Sequence, residues 1–376
     1  MKHNVKVLHV GPDIEARGGI ASVLYGLNEH TPLFARLGYD FDFLPTTAKL
    51  PTGFFDKTIL FIGALVRLIC KLVRSDIDIV HIHTAIRGSL IRKSVLAWAC
   101  VLARTPYVFQ IHNGAFVPNY LAQSAAAQYC IRKILGRAAS VIVLSRSSWD
   151  AIVNLQLVAP GKCHVVFNGI ADPLKGKSLE HDKFKERIIV TFLGLISAAK
   201  GVPSLISAVA AMRKDLPAFS VRLAGIGDIK SLRDAIDANK VNGIVTYVGW
   251  LNGEEKAAAL AATDIFVLPS RSEGFSVAIV EAMAYGVAIV STAIPGVVDA
   301  IRDSVDGILT RPDDIPALTA ALEKLVQDSS ERNRLGDSAR QRYLDTFTFD
   351  LMATRLAQVY EVARSELKPG SLHEAN

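Results

Sequence analysis

A chain of 376 residues, half of them apolar and 21% charged, can build two cores of ordinary domain size and is too apolar to be disordered. Its net charge of +6 is uneven: residues 1–180 hold 20 Lys+Arg against 11 Asp+Glu (+9), residues 181–376 hold 22 against 25 (−3). The basic first half fits an anionic partner (a membrane surface, a phosphorylated substrate or nucleic acid) or simply a solvated basic face.

The chain opens on "MKHNVKVLHVGPD", which moves straight into a strand pattern, so no signal peptide is expected. Cys70, Cys100, Cys130 and Cys163 are widely spaced, without C-x-x-C, which argues against zinc and a disulfide framework and for a reducing cytoplasm. The strand "VKVLHVG" (5–11) leads into a helical "GGIASVLYGLNEH"; "YDFDFLPT" precedes the apolar run "TILFIGALVRLICKLVR" (58–74). Arg67 and Lys71 interrupt that run, leaving it shorter than the roughly 20 residues of a spanning helix. It reads as an amphipathic helix that packs on its domain, with or without added contact to a membrane surface.

Strands "DIDIVHIHT" (76–84), "PYVFQIHNG" (106–114), "ASVIVLS" (139–145) and "CHVVFNG" (163–169) follow, alternating with helical stretches that include "RGSLIRKSVLAWACVLAR". Such alternation means βαβ units and a parallel sheet. The polar, Lys-rich segment 171–187 reads as a linker. A second series then runs through "IIVTFLG", "SVRLAGIGD", "GIVTYVGW", "DIFVLPS" and "AIVSTAIPG", and the tail beyond Pro369 is expected to be loose. The expected fold is α/β: two doubly wound, Rossmann-like domains (1–170 and 188–346) facing across a cleft. In such sheets ligands sit at the carboxyl ends of the strands.

Those ends carry the candidate residues. Gly18 and Gly19 precede a helix without the G-x-G-x-x-G spacing, as an ordinary turn or a ligand loop would. His83 and His112 each end a strand; His112, before "NGA", is the more pointed, and either packs or hydrogen-bonds a substrate hydroxyl. His81 is expected to face away from His83 and pack. Lys200, followed by Gly201 at a helix start, is a surface lysine or a cation for a phosphate or diphosphate.

In "RSEGFSVAIVEAMAYGVAIVS" (271–291), Glu273 and Glu281 stand eight residues apart in otherwise small or apolar sequence. If 274–285 is mainly helical they lie about 12 Å apart along the axis. That exceeds both glycosidase carboxylate spacings, roughly 5–5.5 Å and 6.5–9.5 Å. The pair is therefore expected to touch two separated parts of one extended ligand, with the amides at 274–277 on an anionic middle. A nucleotide sugar has that shape.

Seven segments in order ("GGIAS", "HNG", "NGI", "FLG…KG", "AGIGD", "SEGFSVAIVEAMAYGVAIVST" and "DGILTRPDD") resemble the retaining glycosyltransferases of the group 1 family (family four), over nearly the whole chain. The resemblance implies the GT-B fold and a final helix, 347–368, that returns to brace the N-terminal, acceptor-binding domain. It implies that Glu281 binds ribose and that Glu273 sits by the donor hexose and anomeric centre. The amides of Gly274, Phe275 and Ser276 would lie at the sugar and diphosphate, and Lys200 would neutralise the diphosphate. His112 would contact the donor sugar, Gly19 would mark the junction of diphosphate and acceptor, and Trp250 would lie near the base pocket.

No metal or other cofactor is required on this pattern; the nucleotide diphosphosugar is itself a substrate. Two positions depart from it: Leu195 stands where the family carries an arginine after the glycine, and Asp299 where glutamate is common. Arg271 or an arginine of the first domain is a candidate substitute for that cation. The expected reaction is retaining hexosyl transfer to an acceptor hydroxyl. The basic first half, segment 58–74 and "RGSLIRK" point to a lipid pyrophosphate-linked saccharide in surface polysaccharide synthesis, at the inner face of the plasma membrane. The alternatives are a non-catalytic nucleotide-sugar-binding protein and a sugar-nucleotide epimerase. Nucleic-acid binding is not expected, since no reader motif appears.

Overall fold

The structure, a computed structural model, describes residues 4–16, 18–49, 53–85, 88–175 and 186–365. Most of the expected linker, 176–185, lies outside them, as do Arg87, residues 366–368 of the expected final helix and the tail beyond Pro369. The chain divides into two compact units, Met1–Asn168 with Asp350–Asn376, and Gly169–Phe349.

In chain order the first unit contains β1 (Val5–Gly11), α1 (Gly19–Glu29), α2 (Thr31–Arg36), β2 (Tyr39–Pro45), α3 (Phe54–Val73), β3 (Ile79–Thr84) and α4 (Gly88–Ala103). It continues with β4 (Tyr107–Ile111), α5 (Phe116–Leu121), α6 (Ala125–Arg137), β5 (Ser140–Val143), α7 (Arg146–Asn154) and β6 (Cys163–Val165). Its six parallel strands lie in the order β2-β1-β3-β4-β5-β6. Every residue of β3, β4 and β5 is buried, as expected of parallel strands covered on both faces.

The second unit contains β7 (Ile188–Leu193), α8 (Val202–Ala211), β8 (Phe219–Ala224), α9 (Ile229–Ala238), β9 (Val245–Gly249), α10 (Gly253–Ala261) and β10 (Ile265–Leu268). Then come α11 (Val277–Ala284), β11 (Ala288–Thr292), β12 (Ile308–Thr310), α12 (Ile315–Gln327) and α13 (Ser329–Thr346). The sheet order is β12-β11-β10-β7-β8-β9, again with every pairing parallel. Each sheet reverses its winding direction once: between β1 and β3 in the first unit and between β7 and β10 in the second. The crevice at the carboxyl ends of those strands is where doubly wound folds bind ligands.

The final helix, α14 (Phe349–Ser365), packs on the first unit. Met352, Ala353, Leu356, Val359, Tyr360 and Ala363 are buried, and Tyr39 donates its hydroxyl to Glu361 at 2.6 Å. Asp172, inside the expected linker, is anchored in the second unit, accepting from both terminal nitrogens of Arg340 at 2.8 and 2.9 Å. Helix α3 buries Ala64, Leu68 and Leu72, while Phe55, Ile59, Ile62, Val66, Ile69 and Val73 form an exposed apolar stripe along its other side. Among the described residues no helix is long and apolar enough to cross a membrane.

Candidate functional site

In the second unit the site is built by two loops at the switch point. After β7 the chain passes Gly194, Leu195 and Ile196 and makes a 3-10 turn, Ala198–Lys200, before α8. After β10 it passes Ser270 and Glu273 and enters α11. Gly201 joins the two loops. It has φ +73°, and a Cβ there would stand 1.9 Å from the Pro269 carbonyl oxygen, so only glycine permits this approach. Gly296, at φ +86°, supports the second loop, since a Cβ there would meet the Gly274 carbonyl oxygen at 2.4 Å.

The approach brings the two expected side chains together. Lys200 donates Nζ to Glu273 Oε1 at 2.5 Å, and the Ser270 hydroxyl donates to the same oxygen at 2.7 Å. The Glu273 side chain is only 7% exposed. Glu281, in the middle of α11, accepts from Lys256 Nζ of α10 at 2.5 Å. Its charge and burial both raise the phenol of Tyr285, one turn further on, burial being the larger cause.

Helix α11 starts later than the spacing implied. Gly274, Phe275 and Ser276 are not helical; Ser276 is the N-cap and its hydroxyl accepts from Ile279 N. Only the four steps from Val277 to Glu281 are helical, about 6 Å of rise, and the rest of the separation is loop. The first-turn amides of Val277 and Ala278 have no partner within the helix, as at any helix start. Phe275 turns its ring inward, 5.6 Å from Phe347.

Leu195 is half exposed, between the inward-facing Gly194 and Ile196. Arg271, the candidate substitute for the absent arginine, is paired with Asp313 at 2.8 Å, and Asp313 also accepts from Ser204. In the same loop the Ser197 hydroxyl is buried with no hydrogen-bond partner among the described residues. Gly225 and Gly227 close this edge: a Cβ on either would lie 1.8 or 2.2 Å from the carbonyl oxygens of Gly194 and Ile196. Trp250, just beyond β9, is 46% exposed. The "DGILTRPDD" segment is structural at its head: Asp306 is fully buried and bound by Arg302 through two guanidinium nitrogens at 2.7 Å.

In the first unit the strand ends carry a different chemistry. Gly18, at φ +143°, precedes an α1 N-terminus with no side-chain cap, and a Cβ on Gly18 or Gly19 would meet nothing within 4 Å. His112 follows β4 directly. Its Nε2 shares a hydrogen bond with His83 Nδ1 at 2.9 Å, and His83 Nε2 shares one with His9 Nδ1 at 3.0 Å. Beyond His9, the Tyr360 hydroxyl lies 3.4 Å from His9 Nε2 and 2.8 Å from His81 Nδ1.

His81 does not face away from His83. Residues i and i+2 of a strand share a face, and the two rings stack at 4.1 Å. His9 is in register with His81 on the neighbouring strand and joins the same layer. Burial pushes the His9 imidazole down to about 3 and holds His81 and His83 well below their ordinary value, so these rings are neutral. The ring nitrogens of His9, His81 and His83 lie within 4.8 Å of one another. One of these nitrogen pairs, His9 Nδ1 and His83 Nε2, is itself at hydrogen-bond distance, 3.0 Å. With Tyr360 these rings form a hydrogen-bonded chain.

Lys256, Ser270, His9 and Tyr360 were not anticipated from the sequence. The available signal was the histidines themselves: three polar side chains inside two neighbouring strands whose other residues are apolar except Lys6 and Thr84.

The model of glycosyl transferases group 1 matches residues 177–342, and that of glycosyltransferase family 4 matches residues 15–172. The chain belongs to the group 1 glycosyltransferases. It is 31% identical over 234 residues to a glycogen synthase of Mycobacterium tuberculosis, a match covering 61% of this chain and 56% of that one, so it spans little more than half of that relative. It is 27% identical over 307 residues to the MMP alpha-(1->4)-mannosyltransferase of Mycolicibacterium hassiacum, covering 77% of this chain and 72% of that one. Among solved structures it is similar to Anabaena HepE in complex with UDP and glucose, with a TM-score of 0.74, 18% identity, and 95% and 100% of the two chains covered. The fold is GT-B.

Proposed function

We propose that this group 1 glycosyltransferase moves a hexose, with retention, from a nucleotide diphosphosugar to an acceptor hydroxyl without a metal ion. One observation carries the reading: the Lys200–Glu273 pair at the β7/β10 switch point, beside the open N-terminus of α11, with Glu281 further along that helix. The reaction must stabilise a departing diphosphate and a positive charge developing at the anomeric carbon. Lys200 and the first-turn amides of α11 supply positive potential for the diphosphate. Glu273 supplies negative potential for the sugar, and Ser270 fixes its orientation. Glu281 accepts from the ribose hydroxyls.

Both glutamates are lysine-bound, and donor binding exchanges these partners. The diphosphate takes Lys200 from Glu273, and a ribose hydroxyl competes with Lys256 for Glu281. His112 and Gly19 serve the donor sugar and the acceptor, and Trp250 borders the base. A relative named as a mannosyltransferase and a fold neighbour crystallised with UDP and glucose support a sugar-nucleotide donor.

For the acceptor we favour a lipid pyrophosphate-linked saccharide of surface polysaccharide synthesis, met at the inner face of the plasma membrane. The support is the exposed stripe on α3 and the basic surplus of the first half. Flotation with anionic liposomes tests it: the wild type should float at physiological salt, and Ile62→Asp with Val66→Asp should not. A thermal-shift screen against nucleotide sugars tests the donor site, since ligand at 100 times Kd stabilises by about 2.7 kcal/mol. No shift with any nucleotide sugar would sink the proposal. Leu195 favours a second, non-catalytic reading. Nucleotide-sugar binding without nucleoside diphosphate release, unchanged in Glu273→Ala, would select it.

A further inference from the structure

The hydrogen-bonded layer in the first unit extends well behind the one histidine assigned to substrate. His112 keeps part of its surface open, whereas His9, His81 and His83 are 1% exposed or less. Four imidazoles and a phenol in this layer are joined end to end: His112, His83, His9, Tyr360, His81. A neutral imidazole has one N–H and one lone pair, so a ring with both nitrogens engaged must donate from one and accept at the other. His83 and His9 are both in that position. Protons along the chain therefore point one way, and no ring changes tautomer unless its neighbours change with it.

Sheet and helix impose this order. His9 and His81 are opposed on β1 and β3, His83 stacks on His81, and Phe43 stacks on His9 at 5.2 Å. Tyr360 on α14 links His9 to His81 at the far end, so the returning helix is part of the device. A buried polar network with this much cross-bonding defines one arrangement of its members. At the near end, His83 occupies His112 Nε2 and leaves Nδ1 as the only ring nitrogen free to address a ligand.

We propose that His83 is a positioning residue for His112: it holds the His112 ring in one orientation and one neutral tautomer, with Nδ1 presented to substrate, and His9 and Tyr360 hold His83 in turn. This rests on the reading that His112 contacts the donor sugar. His112 then meets a sugar hydroxyl as a fixed neutral hydrogen-bonding group rather than as a cation. His83 itself touches no reacting atom.

The two nitrogens of His83 separate positioning from packing. Asparagine places its amide near the Nδ1 position and can keep the bond to His112. Glutamine reaches the Nε2 position and can keep only the bond to His9. Ring-nitrogen NMR of histidine-labelled full-length protein, without any substrate, decides the matter. Wild type and His83→Asn should show His112 in a single neutral tautomer, while His83→Gln should show a tautomer average. Equal His112 spectra in the two variants would overturn the proposal, as would tautomer averaging in the wild type, a result that stands even if neither variant folds. UDP release from UDP-glucose, read alongside, isolates the underlying assumption. A His112→Ala variant that turns over like wild type removes the substrate contact and leaves the tautomer result standing. If instead His112→Ala loses activity, His83→Gln should lose at least tenfold in kcat at unchanged KM, with His83→Asn near wild type.

Discussion

Both units are doubly wound parallel sheets with one switch point, β2-β1-β3-β4-β5-β6 against β9-β8-β7-β10-β11-β12, yet they carry opposite chemistry. In the first unit the layer at β1 and β3 is neutral: histidines stripped of charge by burial, bonded to one another and to Tyr360. In the second, the loops after β7 and β10 hold the pair Lys200–Glu273, and helices α10 and α11 hold Lys256–Glu281. Both pairs are partly solvated, whereas the first unit's layer lies inside the sheet–helix core. A neutral chain fixes geometry; an ion pair can trade partners with a charged ligand. The same scaffold thus offers one surface suited to orientation and one suited to a diphosphate.

Lys200→Ala should break the second surface most severely. Losing a preorganised charge aimed at the leaving group should cost on the order of 10³-fold in kcat, measured as nucleoside diphosphate release. It also strands Glu273. The double variant Lys200→Ala/Glu273→Ala should recover thermal stability over the single variant while recovering no activity. Next in size, Gly201→Ala should cost on the order of 2–3 kcal/mol in urea unfolding, because a Cβ meets the Pro269 carbonyl oxygen at 1.9 Å. Turnover should fall with it, since Lys200 moves when its loop moves.

Acid should separate the two units. His9, His81 and His83 have folded-state pKa values below the unfolded value near 6.5, so the unfolded chain binds more protons as pH falls below it. Stability is fully present above about 6.5 and falls with acidification, by up to about 1.4 kcal/mol per pH unit for each ring. The described part of the second unit contains no histidine. Its Asp306 opposes burial with hydrogen bonds from Arg302 and Ser338 and ends below the ordinary 3.8, so its contribution is lost only at lower pH. Trp98 and Trp149 report on the first unit and Trp250 on the second. Urea melts between pH 7.5 and 4.5 should therefore shift the Trp98/Trp149 signal, with Trp250 read alone in a Trp98→Phe/Trp149→Phe background. Equal shifts in both signals would erase the contrast.

The smallest effect is a gain. Leu195→Arg places a cation at a half-exposed position, so stability should stay within about 0.5 kcal/mol. KM for a nucleotide-sugar donor should drop several-fold, with kcat less affected.

Much of this was legible in the sequence. Alternation of apolar runs with helical stretches gave eleven of the twelve parallel strands, missing the three-residue β12, and the position of Lys200 and Glu273 just after strands put them at one strand-end edge. The helix start was missed by three residues, because Gly274, Phe275 and Ser276 satisfy a helical pattern until Ser276 is seen to cap. His81 was assigned the wrong face although strand periodicity alone fixes the right one. Arg271 as a spare cation could not be tested against Asp313, which lies 42 positions away.

The sequence by itself determined the elements, the two sheets and the charged residue types at strand ends, because these follow from local periodicity and glycine placement. Only the tertiary structure decided who partners whom. Lys256 reaches Glu281 across 25 positions, Lys200 reaches Glu273 across 73, and Tyr360 reaches His81 across 279. Such pairings exist only after the strands are ordered and the last helix has returned, since burial and a partner's distance, rather than residue type, set what a lysine or a histidine can do.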